Sequence, residues 1–96
     1  MSEDPDADRF TLQATPTVRR QLAEELPEAV AAAALEFITG PLLDNPHRIG
    51  RRLSPPLDDR YGARRGTYRL LYRIDDNARV VTAVLITHRR DAYRFR

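Results

Sequence analysis

The 96-residue sequence predicts an α+β fold in which an N-terminal strand and a helical hairpin pack on a small twisted antiparallel sheet, in the order β-α-α-β-β-β. Three observations predict it: an alanine-rich stretch with helical periodicity, alternating apolar segments in the second half, and a proline-rich connector between them. A chain of this length supports one modest core. Residues 9–96 are therefore expected to form a single domain, preceded by a flexible acidic tail at residues 1–8.

The first half begins with a short strand that leads into a helix. Residues 9–14 alternate apolar and polar side chains, which is typical of a half-buried strand. Thr15 and Pro16 form a helix start, because a threonine hydroxyl caps the first turn and a proline at the first helical position loses no hydrogen bond. Apolar side chains spaced four apart mark the buried stripe of this helix, which is expected to end near residue 26.

A second helix and a connector follow. Pro27 is expected to separate the two helices, and Gly40 is expected to end the second. The apolar side chains expected on its buried side are Val30, Ala31, Ala34, Leu35 and Ile38. Four prolines and two glycines in residues 40–59 predict a connector with one helical turn at 42–45.

The second half predicts three antiparallel strands at residues 60–65, 67–75 and 79–87. In the middle strand one face carries Tyr68, Leu70, Tyr72 and Ile74, and the other carries Arg69, Leu71 and Arg73. The last strand is apolar on both faces, which predicts a central strand covered on both sides. A tight hairpin at 75–78 would place Ile86 opposite Thr67 or Tyr68.

Charge is distributed unevenly along the chain. Residues 1–47 carry nine acidic and three basic side chains, whereas residues 48–96 carry thirteen arginines and five aspartates. All sixteen cationic side chains are arginine. Guanidinium groups bind phosphate in a bidentate way and are poor proton acceptors near neutral pH. The basic half therefore predicts a polyanionic partner.

The composition excludes several classes of site. Without cysteine there is neither a disulfide framework nor a thiolate metal site, and two histidines make a weak case for zinc. No metal or cofactor is therefore expected. No apolar run approaches the roughly 20 residues that span a bilayer, and the acidic N-terminus is unlike a secretory signal. We expect a cytoplasmic protein without membrane contact.

Three segments are predicted to bring arginines to one edge of the sheet. Arg64 precedes the turn between the first two strands, and Arg69 follows it. The last strand returns to the same edge, where it delivers Arg89, its neighbour Arg90, and Tyr93. Grouped like charges repel, which favours an anion site. The alternative is a purely solvated face.

Two further side chains each have two interpretations. Tyr93 either stacks on a base and accepts a proton, with its pKa lowered by the cations, or caps the core as a terminal aromatic. His88 is either a general acid or base, or a structural hydrogen-bond partner.

The segment "YGARRGTYRLLYRIDDNARVVTAVLITHRRDAYR" resembles the second half of toxins of the RelE/ParE superfamily. Its most specific parts are the Y-R-L-L-Y strand and the H-R-R-D-A-Y-R ending, and the likeness extends over residues 9–95. The resemblance implies a RelE-like fold and the toxin component of a type II toxin–antitoxin system. Of the two types in the superfamily, it implies the mRNA interferase type, which cleaves translated mRNA in the ribosomal A site and arrests growth.

The resemblance also implies roles for individual residues. The family's strand arginine falls on Arg69, its basic residue on the preceding strand on Arg64, and its C-terminal arginine and tyrosine on Arg89 and Tyr93. Some members carry a second basic residue where this chain has Gly62, which leaves the proton acceptor open. The implied reaction is 2′-OH attack on the adjacent phosphate, which yields a 2′,3′-cyclic phosphate and a 5′-OH without a metal. Contacts to the RNA backbone are expected from Arg51, Arg52, Arg65, Arg90 and Arg94.

The implied partners are a small, acidic, RelB-like antitoxin, the ribosome with its mRNA, and operator DNA for the toxin–antitoxin complex. Two alternatives remain open. One is a ParE-like toxin that inhibits gyrase without RNase activity, and the other is a non-catalytic nucleic-acid-binding module. The pair Tyr93 and Arg94 favours the RelE type.

Overall fold

The computed structural model describes residues 9–88 as a five-stranded sheet with helices on one face. The strands are β1 (Thr11–Ala14), β2 (Arg51–Arg52), β3 (Tyr61–Arg65), β4 (Tyr68–Asp75) and β5 (Val80–His88). The helices are α1 (Pro16–Arg20), which continues into a π-helical turn (Gln21–Glu25), α2 (Glu28–Thr39), α3 (Pro41–Asp44) and α4 (Pro46–Ile49). None of these helices is long and apolar enough to cross a membrane. The predicted tail at residues 1–8 lies outside the described residues.

The strand order is β1-β5-β4-β3-β2. The predicted α+β class is confirmed, and the three predicted strands of the second half are antiparallel neighbours. The sheet as a whole is mixed rather than antiparallel, because β1 pairs with β5 in parallel. The strand β1 thus pairs with the edge of β5 that β4 leaves free. The backbone hydrogen bonding to β5 extends one residue beyond β1, where the Thr15 N–H donates to the Ala83 carbonyl at 3.1 Å.

The connector holds more structure than predicted. Instead of one turn at 42–45 it forms two short helices, α3 and α4, each beginning at a proline. It then contributes β2, which pairs with β3 at the outer edge of the sheet. Prolines favour the first position of a helix, so the proline-rich composition is consistent with both turns.

The first helix starts as predicted and ends differently. The Val18 N–H donates to the Thr15 hydroxyl at 3.2 Å, which confirms the N-cap. After Arg20 the helix widens, and the Leu26 N–H donates to the Gln21 carbonyl at 2.9 Å. This wider turn carries the buried side chain of Gln21. Its amide donates to the Ile86 carbonyl at 2.5 Å and accepts from the Ile86 N–H at 2.9 Å, so it acts as the partner of β5 beyond the end of β1.

The buried stripe of α2 differs from the prediction in two residues, since Phe37 is buried without having been predicted and Leu35 is not buried. Ala34, Phe37 and Ile38 are buried, whereas Leu35 is 50% exposed. The stripe follows the spacing of three and four residues, and Leu35 lies about 100° around the helix from Ala34. The prediction that Leu35 packs in the core is therefore wrong.

The register between β4 and β5 also differs from the prediction. The predicted partner of Ile86 is Thr67 or Tyr68. In the structure Ile86 lies opposite Leu70, which is two residues beyond Tyr68 along β4. Two features add residues to the hairpin. The loop has four residues and ends at Arg79, which adopts a left-handed φ of 59°. A β-bulge at Val84 then adds one residue to β5.

The strand β5 is central, as predicted, but only its helix-facing residues Val81, Ala83 and Ile86 are buried. The bulge shifts the alternation by one residue, so Val84 and Leu85 follow each other and are both half-buried. Among residues 9–88 no helix covers the second face, so the prediction of cover on both sides is not met there.

Candidate nucleic-acid interface

The face of the sheet opposite the helices, called here the open face, carries a pair of arginines. Arg64 on β3 lies directly opposite Arg69 on β4, and both are exposed. Side chains in such a pair have Cβ atoms about 5 Å apart, so the two cationic groups repel. Among residues 9–88, neither forms an ion pair with a carboxylate. An anion bound between them therefore relieves the repulsion and accepts charge-assisted hydrogen bonds.

Two depressions flank this arginine pair. The first, the Thr67 depression, has a volume of about 410 Å³ and is also lined by Thr67, Thr87 and His88. The second, the Gly62 depression, has a volume of about 570 Å³, and its lining includes Arg51, Arg52, Leu53 and Gly62. The two share only Arg64 and Arg69. A phosphate between these arginines would thus have room for a nucleoside on each side.

Polar groups line the Thr67 depression. The Nε2 atom of His88 lies 3.1 Å from the Thr67 hydroxyl, and the Thr87 hydroxyl donates to the Arg69 carbonyl at 3.5 Å. The sequence interpretation identified His88 but neither threonine. The register supplies the missing signal, because Thr87 is the cross-strand partner of Arg69.

The backbone around the arginine pair is held from two sides. Gly66 opens the two-residue turn between β3 and β4 with a φ of +56°, a conformation that glycine adopts without strain. On the other strand, the Gln21 amide holds Ile86, which directly precedes Thr87. The positions of the lining residues are therefore set by regular, hydrogen-bonded backbone.

Other predicted RNA contacts lie on both faces of the sheet. Arg51 lies opposite Gly62 and borders the Gly62 depression. Arg52 borders the same depression, and its Nε–H donates to the Asp58 carbonyl at 2.9 Å. Arg65 lies on the helix side, where its guanidinium carbon is 4.4 Å from the centroid of the Phe37 ring. The structure therefore does not bring Arg65 together with the other predicted contacts.

The C-terminal part of the predicted site lies outside the described residues. This applies to Arg89, Arg90, Tyr93 and Arg94. The predicted meeting of three segments is thus present for the two strands that supply Arg64 and Arg69. The contribution of the third segment stays a prediction.

The proton-transfer properties of the lining are limited. Burial raises the pKa of Tyr68, an effect that the positive charge of Arg65 partly offsets, so this phenol stays protonated at neutral pH. Within residues 9–88, no three His, Asp or Glu side chains form a group that could hold a metal ion. The positive charge available to a ligand here comes from guanidinium groups.

At the end away from the arginine pair, the open face carries acidic as well as basic side chains. Arg73, also on β4, borders a further depression that is lined by Asp59, Asp75 and Asp76. These carboxylates offset the arginine, whereas the linings of the Thr67 and Gly62 depressions contain no acidic residue. A polyanion is therefore attracted to one end of the face.

Comparisons with known proteins found a matching family and similar proteins. Residues 6–93 match the family described as "ParE toxin of type II toxin-antitoxin system, parDE". The chain is 48% identical over 80 residues to Toxin RelE of Mycobacterium tuberculosis, which covers 83% of this chain and 81% of that protein. It is 46% identical over 85 residues to Toxin RelG of the same organism, and the matched region covers 88% of this chain and 97% of that protein.

A solved structure is similar over the same range. A chain of the toxin–antitoxin complex RelBE2 from Mycobacterium tuberculosis superposes with a TM-score of 0.80 at 44% identity, covering 84% of this chain and 99% of that one. The residues matched by the family, 6–93, include the whole lining of both depressions.

Proposed function

The chain belongs to the ParE toxin family of type II toxin–antitoxin systems, and from this premise we propose that it is a ribosome-dependent endoribonuclease. It cleaves translated mRNA in the ribosomal A site and so inhibits translation and growth. The observation that carries the proposal is the Arg64–Arg69 pair, which lies between two depressions of nucleoside size. Relatives named RelE and RelG, at 48% and 46% identity, support this activity over other toxin activities.

The reaction is a transesterification within one RNA strand. The 2′-oxygen forms a bond to the adjacent phosphorus while the bond to the 5′-oxygen breaks, which leaves a 2′,3′-cyclic phosphate and a 5′-OH. One proton leaves the 2′-OH and one joins the 5′-oxygen. Arg64 and Arg69 bind the non-bridging oxygens and stabilise the additional negative charge of the transition state. This charge stabilisation is the contribution that a metal ion makes in other nucleases, so the reaction proceeds without one.

The proton transfers require groups other than the arginine pair. Guanidinium is a poor proton acceptor, and the phenol of Tyr68 is held protonated. Of the described residues that line the Thr67 depression, His88 carries the one imidazole, a side chain that serves as general acid or base in many enzymes. Arg89 stabilises the transition state or assists the leaving 5′-oxygen, and Tyr93 stacks on the nucleotide and competes with His88 for the role of base.

The partners follow from the same charge distribution. A cognate antitoxin covers the arginines of the open face with an acidic segment, which explains how the cell tolerates the toxin. The similarity to a chain from a solved toxin–antitoxin complex supports this partner. The ribosome supplies the positioned message, because Arg51, Arg52, Arg90 and Arg94 contact phosphates without reading bases. Operator DNA is bound by the toxin–antitoxin complex.

The test is cleavage of a defined message on programmed ribosomes by Arg64→Ala and Arg69→Ala variants. Each is expected to lose about 100-fold in rate, because removal of one preorganised donor to a developing charge costs 10² to 10³, roughly, in other enzymes. Arg73→Ala is the matched control, since it removes an arginine from the same face of β4 at the acidic end. It should cleave at a rate close to that of the unsubstituted protein. Wild-type rates in folded variants of the pair contradict the proposed site.

A gyrase-inhibiting activity is the second candidate, because the matching family is described by its ParE member. Mapping of transcript ends after induction in cells separates the two. Cuts within translated codons support the ribonuclease, whereas intact messages together with DNA damage support the gyrase inhibitor.

A further inference from the structure

The Gly62 depression has an apolar floor beneath its arginines. Gly62 faces the open side of the sheet, and a methyl group built on it would lie 3.3 Å from Leu53 Cδ2 and 3.6 Å from Leu71 Cδ2. The same methyl group would lie 3.9 Å from the Cδ atom of Arg69. Such a methyl group would already be in tight contact with Leu53, and without it two half-buried leucines and the alkyl part of Arg69 form a shallow apolar surface over the Gly62 backbone. We call this surface the Gly62 recess, lined by Leu53, Gly62, Leu71 and Arg69.

The walls of the recess are held by backbone contacts. The Leu53 N–H donates to the Arg60 carbonyl at 3.0 Å, which returns the connector to the sheet. Gly50 packs so closely on β3 that a methyl group there would lie 2.7 Å from the Gly62 carbonyl oxygen. These contacts fix the backbone that carries Leu53 and Gly62 at the recess.

Charge and shape together indicate the class of occupant. The surrounding depression is lined by four arginines, Arg51, Arg52, Arg64 and Arg69, and by no acidic residue. A small anion would use the arginines alone and leave the leucines exposed. A nucleotide uses both, because its base has an apolar face and its phosphate binds guanidinium groups.

We propose that the Gly62 recess binds the base of one nucleotide that flanks the cleaved phosphate. This inference rests on the proposed ribonuclease function and deepens it. With the phosphate between Arg64 and Arg69, one nucleoside lies over the polar Thr67 depression and the other over the recess. Leu53 and Leu71 offer the base no hydrogen-bond donor or acceptor, so this part of the surface holds a base by apolar contact.

The test combines removal of the base with filling of the recess. Cleavage is measured on ribosomes programmed with messages that carry an abasic ribose at one of the three A-site positions in turn. With the unsubstituted protein, one position next to the cut is expected to lose about tenfold, the effect of exposing about 55 Å² of apolar base surface at roughly 25 cal/mol per Å². Gly62→Val fills the recess and should cleave the complete message at the slow rate of that abasic one. For Gly62→Val, removal of the base at this position should not change the cleavage rate.

The variants are chosen so that folding and function can be separated. The φ of Gly62 is not in the left-handed region, so a β-branched residue suits the strand. Thr82→Val is the control, a valine substitution opposite Arg73 at the acidic end of the same face. If Gly62→Val does not fold, Leu71→Ala replaces it, because it removes one wall of the recess and should give the same loss of base dependence.

Three outcomes overturn the inference. In the first, Gly62→Val does not slow cleavage of the complete message. In the second, no abasic position slows cleavage by the unsubstituted protein. In the third, the abasic and valine effects multiply at all three positions, which shows that the base binds elsewhere. If the unsubstituted protein cleaves no message at all, the proposed function itself is wrong, a result that differs from all three.

Discussion

Replacement of Gln21 removes the side chain that holds β5 beyond the end of β1. Gln21→Met keeps the approximate volume and removes hydrogen bonds of 2.5 Å and 2.9 Å to the Ile86 carbonyl and N–H. Ile86 is 1% exposed, so water cannot replace either bond without a rearrangement. A buried backbone group without a partner costs about 1–3 kcal/mol. Two such groups give an expected loss of about 2–6 kcal/mol, a large part of the roughly 5–15 kcal/mol that stabilises a typical domain.

The measurement is urea unfolding followed by circular dichroism. For a protein of this size the slope is about 1–2 kcal/mol per M, so the midpoint should fall by about 1 M or more. Gln13→Met, on the exposed side of β1, is the matched control and should change stability by less than about 0.5 kcal/mol. A Gln21→Met midpoint equal to that of the control refutes the argument that this amide completes the edge of β5.

A second substitution at the same position tests the donor separately. Gln21→Glu keeps the acceptor for the Ile86 N–H but places a carboxylate against the Ile86 carbonyl. The protonated carboxyl restores the donor, so folding raises the pKa of the introduced group. Its stabilising contribution is therefore present at low pH and is lost as the pH rises through the folded-state pKa. A stability of Gln21→Glu that does not increase on acidification, relative to Gln21→Met, contradicts the assigned bonds.

The remaining predictions concern the core, the recess wall and the proton transfer. Burial raises the pKa of Tyr72 to about 12, so the stability contributed by its protonated phenol is complete below pH 10, roughly, and is lost between about 10 and 12. Tyr72→Phe should lose about 1–3 kcal/mol at neutral pH because the Pro46 carbonyl loses its donor, and should show a smaller alkaline decline in thermal unfolding. Gly50→Ala should cost about 1–3 kcal/mol in urea unfolding, because its methyl group would lie 2.5 Å from the Tyr72 hydroxyl. Gly62→Ala, which meets only leucine and arginine side chains, should cost less, and equal losses would argue against this steric account. His88→Gln should slow cleavage, and an unchanged cleavage rate assigns the proton transfer to another group.

The start of the first helix and the arginines of the open face could be predicted from residues close together in the sequence. The cap at Thr15 depends on two neighbouring residue types, and the structure confirms it. Arg69 and Arg73 lie on the face of β4 that does not carry Tyr72. This placement depends only on the alternation of side chains along a strand, and it also agrees with the structure. The pairing of Arg64 with Arg69 needs one short turn, which Gly66 marks in the sequence.

Features that depend on a second segment were not accessible in this way. The π-helical turn carries Gln21, whose side-chain amide donates a hydrogen bond to the carbonyl of Ile86 in β5. Ile86 lies 65 residues further along the chain. The recess needs Leu53 from the connector to lie against Gly62, and no local pattern indicates that contact. The roles of Arg89 and Tyr93 stay predictions, because both lie outside the described residues.

By itself, the sequence determined the α+β class, the order of most elements and the side of each strand that carries charge. These properties follow from periodicity and from short-range hydrogen bonds, which act between residues close in the chain. The tertiary structure alone decided the parallel addition of β1, the bulge at Val84 and therefore the register that aligns Thr87 with Arg69. Register depends on which backbone groups of distant strands satisfy one another, and the same alternating pattern is compatible with several such pairings until the strands pack.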